Sequence, residues 1–127
     1  MKKLFVVRHA KSSWDFPELD DHDRPLNNRG LKNAPEMGRR LSTKNVKIGL
    51  MVTSPAKRAA DTAGFIADQL SYPKSRIVKE PLFYHAGIHD LMAKVQTTQN
   101  GVTSLMIFGH NPGLTDFVNY MTGTDIY

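Results

Sequence analysis

Three short segments of this chain carry side chains suited to handling a phosphoryl group. Arg8-His9 and Gly109-His110 each place a histidine where a run of apolar residues stops, and Ser54-Pro55-Ala56-Lys57-Arg58 sets a basic residue just past an expected strand-to-helix turn. A neutral imidazole nitrogen is a competent nucleophile toward phosphorus, and a covalent phosphohistidine divides one difficult transfer into two easier ones. Guanidinium groups bind the equatorial oxygens in forked pairs and offset their charge during transfer. Two imidazoles and two guanidiniums therefore point to phosphoryl transfer, provided the fold brings them together.

The elements that would position them alternate in period. Leu4 to Val7, Ile48 to Val52 and Leu105 to Phe108 are continuous apolar runs of the kind expected for strands buried on both faces, and Arg76 to Val78 makes a shorter fourth. Between them helical spacing appears, in Ala59, Ala63, Ile66, Ala67 and Leu70, in Ile88, Leu91, Met92 and Val95, and in Leu114, Phe117, Val118 and Met121. This βαβ alternation predicts an α/β fold with a mainly parallel sheet. A first helix near Asn28 to Leu41 is expected to be kinked or delayed by Pro35 and weakened by Gly30. Ser54-Pro55 and Asn111-Pro112 read as N-cap residues followed by a proline at the first helical position. Both helices would start at the carboxyl end of a strand, the edge where open α/β sheets bind ligands and where helix N-termini favour anions.

Bulk properties narrow the partners. A chain of 127 residues is long enough for one domain with a sizeable core. Its net charge of +5 favours anions, but the Lys and Arg residues are scattered and form no basic stripe, so a phosphate-sized anion is expected rather than nucleic acid. No apolar segment approaches the ~20 residues that cross a bilayer, and the apolar run at the start breaks too early for a signal peptide, so no membrane association and a cytoplasmic location are expected. With no cysteine, thiolate catalysis, disulfides and Cys-type zinc sites are absent.

Taken in order, Val-Arg-His-Ala-Lys ending at Lys11, then Asp23-Arg24-Pro25-Leu26 with Arg29-Gly30, Ser54-Pro55 with Arg58-Ala59 and Thr62-Ala63, Leu82-Phe83-Tyr84-His85-Ala86, and Gly109-His110-Asn111-Pro112-Gly113 resemble the histidine phosphatase superfamily, nearest to its short SixA-type phosphohistidine phosphatases. The resemblance implies a three-layer α/β/α, phosphoglycerate mutase-like fold in which the sheet order is 3-2-4-1. It implies that His9 accepts the phosphoryl group, that Arg8 and Arg58 bind it and that His110 contacts it and stabilises the transferring charge. Lys11 and Asn111 are expected substrate-binding residues at the mouth. Neither a metal nor another cofactor is implied. Members of the superfamily continue into two further strands, 5 and 6, so residues 1–127 are expected to form a single domain of this kind lacking its C-terminal strands.

Larger phosphomonoesterases of the superfamily carry an acidic residue after the third strand to protonate an alkoxide, whereas this chain has no carboxylate there until Asp90. An imidazole leaving group, with an ordinary pKa of about 6.5, departs with little help. The expected substrate is therefore phosphohistidine on a signalling or phosphotransfer protein, with small phosphate esters as the alternative and a non-catalytic phosphate-binding module third. His85, Asp20 and Asp23 remain candidate acids. The consecutive Asp20-Asp21-His22-Asp23 reads as a solvated loop rather than a metal loop, and His85 with His89 makes a weak metal pair without a third ligand. Trp14 and Phe16 are equally readable as a pocket wall or as ordinary packing, and Lys57 as added positive potential at the mouth of the site or as a surface lysine.

Overall fold

The computed structural model describes residues 3–98, 101–111 and 113–122. Its regular elements are β1 (Lys3–Arg8), α1 (Asn28–Thr43), β2 (Leu50–Thr53), α2 (Lys57–Gln69), β3 (Val78–Lys79), α3 (Ile88–Thr97), β4 (Ser104–Gly109) and α4 (Gly113–Thr122), with short 3-10 turns at Asp21–Asp23, Lys74–Arg76 and Pro81–Phe83. All pairings between these strands are parallel, and the order is β1-β4-β2-β3, the expected 3-2-4-1 read from the other edge.

Alternation along the strands divides the core into two layers. Met106 and Phe108 of β4, with Met51 of β2, pack against Ala63, Ile66 and Ala67 of α2. Leu105 and Ile107, with Val52, pack on the opposite face against Leu91 of α3 and Leu114 and Phe117 of α4. Helices thus cover both faces of the sheet, the three-layer arrangement that a mostly parallel sheet needs. β4 lies between β1 and β2 and is buried along its whole length, whereas Leu4 to Val7 of β1 are only half-buried. Full burial on both faces was expected of that run too, but β1 is an outer strand of the described sheet and its free side admits solvent.

Three local expectations need correction. α1 runs unbroken through Pro35. Its start is held by Asn27 Oδ1, which accepts from the Gly30 amide, and the carbonyl that Pro35 deprives of a partner belongs to exposed Leu31. The fourth strand begins at Val78, not Arg76, because Tyr72 donates its hydroxyl to the Arg76 carbonyl and the Ile77 amide closes a 3-10 turn on Lys74. α2 starts at Lys57, with Ala56 before it, so Ser54 and Pro55 lie outside the helix; Ser54 Oγ instead accepts from the Ala56 amide in a tight turn. At α4, Asn111 Oδ1 accepts from both the amide and the hydroxyl of Thr115, while Pro112 lies outside the described residues.

Candidate active site

Strand register brings the two histidines together. Arg8 pairs with Gly109, the last rung of the parallel ladder between β1 and β4, so His9 and His110 are the next residues on adjacent chains. The His9 amide bonds to the Gly109 carbonyl at 3.2 Å, and the two imidazole centroids are 5.0 Å apart. On the other side of β4, Thr53 pairs with Phe108 and the Ser54 amide bonds to the Phe108 carbonyl, which places the turn into α2 beside His110.

Hydrogen bonds fix which ring atoms face the chemistry. His9 Nδ1 lies 2.6 Å from the Ala10 carbonyl, a group that only accepts, so Nδ1 carries the proton and Nε2 presents its lone pair. Ala10 is itself anchored, its amide donating to Thr62 Oγ1 while the Thr62 hydroxyl donates to the Arg58 carbonyl. His110 Nε2 is 2.8 Å from the buried Ser54 Oγ. Donation from that hydroxyl to Nε2 gives the serine hydrogen an acceptor and puts the imidazole proton on Nδ1, a buried atom with no protein partner. Burial lowers the pKa of His9; the hydrogen bond to the Ala10 carbonyl opposes it, and repulsion from Arg58, Arg8 and Arg24 adds to the lowering. Burial, Arg58 and His9 lower that of His110 to about 3. Both shifts favour the neutral imidazoles near pH 7.

Arg58, in the first turn of α2, is only 5% exposed. Its Nη1 donates to the Asp21 carbonyl at 2.6 Å and its Nη2 to Asp21 Oδ2 at 2.9 Å, while its buried Nε has no protein partner. Arg8 is exposed and borders the cleft that contains His9, together with Lys11, Trp14 and Arg24. A second cleft, bordered by Asp21, Tyr84, His85 and Asp116, adjoins it, and Arg58, His110 and Asn111 border both. All six site residues expected from sequence, His9, Arg8, Arg58, His110, Lys11 and Asn111, therefore lie around one junction. Trp14 is 75% exposed, with one ring face beneath the Arg24 guanidinium at 3.6 Å, so it edges the cleft and is not core packing.

Sequence reasoning missed Asp21. Its carboxylate receives Arg24 Nε at 3.0 Å and the Tyr84 hydroxyl at 2.6 Å in addition to Arg58. Tyr84, followed by the two arginines, holds this carboxyl far below the ordinary range. Ser54 was also misassigned, as a helix cap only. Among the described residues, no three His, Asp or Glu side chains converge as a metal site, and His85 is instead stacked on Tyr84 at 4.1 Å between centroids. Likewise, no described helix is long and apolar enough to cross a membrane.

A family model for the histidine phosphatase superfamily, branch 1, matches residues 4–83, a span that includes Arg8, His9 and Arg58. The chain belongs to the histidine phosphatase superfamily. Among solved structures, one assigned as the phosphohistidine phosphatase SixA from Agrobacterium tumefaciens is 26% identical with a TM-score of 0.89, covering 98% of this chain and 78% of that one. The protein histidine phosphatase SixA complexed with tungstate is 27% identical with a TM-score of 0.83, covering 91% of this chain and 74% of that one. An uncharacterized chloroplastic protein of Arabidopsis thaliana is 28% identical over 98% of this chain, which spans 61% of that protein's length. A 2,3-bisphosphoglycerate-dependent phosphoglycerate mutase of Bartonella bacilliformis is 28% identical over 71% of this chain and 45% of its own length. This superfamily member thus has the phosphoglycerate mutase-like fold of the SixA structures.

Proposed function

We propose that the protein is a metal-independent phosphatase that forms a phosphohistidine on His9 and removes phosphate from phosphohistidine of a signalling or phosphotransfer protein, in the cytoplasm. Residues 1–127 are read as a single histidine phosphatase domain; strands 5 and 6 expected from the resemblance lie outside the described residues. The observation carrying this reading is the parallel register that sets His9, with its Nε2 bare, 5.0 Å from the ring of His110 at a junction bordered by Arg58.

In the first step His9 Nε2 attacks phosphorus of a phosphohistidine whose other ring nitrogen is protonated, the bond from phosphorus to the substrate nitrogen breaks, and the substrate departs as neutral imidazole with the electron pair. Arg58 and Arg8 offset charge on the equatorial oxygens, and neutral His110 stabilises it as a hydrogen-bond donor. Water then attacks phosphorus, the bond to His9 breaks, and inorganic phosphate leaves with the water oxygen. Lys11 and Asn111 steady the phosphorylated group at the mouth.

Asp21 supports an imidazole leaving group over an alkoxide. Held as an anion by Tyr84 and two arginines, its carboxyl is a poor proton donor, and imidazole needs the least protonation. Small phosphate esters remain the second reading, favoured only by His85, which borders the cleft beside His110 and could supply a proton. The test incubates wild-type protein and His9→Ala with a phosphohistidine-bearing domain and with simple phosphate esters, and looks for acid-labile phosphate on the protein. Dephosphorylation of the domain with label on wild type alone is expected. Turnover surviving in His9→Ala would refute the nucleophile, and rapid ester hydrolysis with inert phosphohistidine would favour the second reading.

A further inference from the structure

We infer that Asp21 is a positioning residue, fixing the guanidinium of Arg58 for the phosphoryl group; the inference rests on the proposed role of Arg58 in binding that group. A guanidinium on a flexible stem at a helix N-terminus has two problems: many rotamers and an unfavourable dipole. Asp21 answers both, since its carbonyl takes Nη1 and its Oδ2 takes Nη2, leaving Nε unpartnered and buried.

The holder is itself rigid. Residues 11–27 double back on themselves, the Asn27 amide bonding to the Lys11 carbonyl, Ser12 bridging Leu26, and the Ser13 amide bonding to the Pro25 carbonyl. From this base buried Arg24 sends Nη1 to Ser12 Oγ at 2.7 Å and Nε to Asp21 Oδ1 at 3.0 Å. Tyr84, from the far side of the cleft, donates to Asp21 Oδ2. Two donors from two segments, Arg24 and Tyr84, thus orient one carboxylate, and the carboxylate orients Arg58. An acid catalyst would need a proton that this set of partners opposes, and mere charge balance would not need both terminal nitrogens engaged.

Positioning and charge make opposite demands on anion binding, which separates the role from simple structural support. Asp21→Ala removes the Oδ2 and Oδ1 contacts, freeing Arg58 to move, yet also removes a negative charge from the anion site. The expected result is kcat down about tenfold or more, with the Kd for tungstate changed less than threefold and the 15N relaxation of Arg58 Nε–H shifted toward faster motion. Asp21→Asn, with one acceptor oxygen, should fall between Asp21→Ala and wild type in both kcat and Arg58 order. If Asp21→Ala unfolds, Asp21→Asn carries the test. An Arg58 signal as ordered as in wild type, or kcat within twofold of wild type, would overturn the inference. Absence of any turnover by wild-type protein would defeat the proposed function instead, and the relaxation and tungstate measurements would still decide the role of Asp21.

Discussion

Ser54 Oγ lies 2.8 Å from His110 Nε2 and ties the turn after β2 to the residue that follows β4. The hydroxyl holds one ring nitrogen of His110, so in the proposed mechanism its loss acts on catalysis through another residue. Ser54→Ala should reduce turnover about tenfold, the scale of one lost orienting hydrogen bond, and lower stability by about 1–3 kcal/mol, because buried polar partners are left unpaired. Steady-state rates with denaturant unfolding check both, and unchanged kcat would mean that His110 needs no holder.

Protonation should act on both histidines in the same direction. If His9 attacks phosphorus as proposed, only its neutral form does so, and because its pKa is lowered, the acid limb of kcat/KM should fall below that of an ordinary histidine. The same sign applies to stability. His110, with a folded pKa lowered from 6.5 to about 3, takes up its proton more readily when unfolded, so its contribution to stability is full above 6.5 and is lost as pH falls toward 3. Thermal midpoints measured between pH 7 and 4 should fall more steeply for wild type than for His110→Gln. An equal slope in the variant would assign the acid sensitivity to other groups.

Gly30 permits the close approach of α1 to the loop that follows His9. A Cβ built there would collide with the Lys11 carbonyl, whereas one at Gly64, inside α2, meets only the Lys74 side chain at 3.5 Å. Gly30→Ala should therefore cost about 1–3 kcal/mol and lower activity by displacing Lys11, as overpacked sites do. Gly64→Ala should add about 0.5–1 kcal/mol through helix propensity alone. Chemical denaturation of the two variants in parallel distinguishes them, and equal effects would deny the close approach its importance.

Strand order and the meeting of His9 with His110 were legible in sequence because apolar runs mark buried strands locally and the superfamily motifs supply the order. What escaped reading depends on contacts made at a distance. Asp21 reaches Arg58 across 37 positions and Tyr84 across 63, and within its own stretch of acids it looks solvated. Ser54 was expected to cap α2, but its hydroxyl closes a tight turn on the Ala56 amide instead, and its neighbour across the sheet gives it a second role. Pro35 misled for the opposite reason, since Gly30, Ala34 and Gly38 form a buried stripe along α1 that sustains the helix despite one missing hydrogen bond.

Thr62 connects the loop after His9 to the helix that carries Arg58. Its Oγ1 accepts from the Ala10 amide and donates to the Arg58 carbonyl, and the Ala10 carbonyl in turn holds His9 Nδ1. Thr62→Val keeps the shape but strands the Ala10 amide, a loss of about 1–3 kcal/mol for a buried unpaired donor. His9 would lose its fixed tautomer together with that support, so the rate of enzyme phosphorylation in a single turnover should drop more than the affinity for tungstate. Thr62→Ser retains the hydroxyl and should stay within a few-fold of wild type in that rate. Greater damage from Thr62→Ser than from Thr62→Val would place the importance of Thr62 in its methyl group and its packing, not in the hydrogen bond to Ala10.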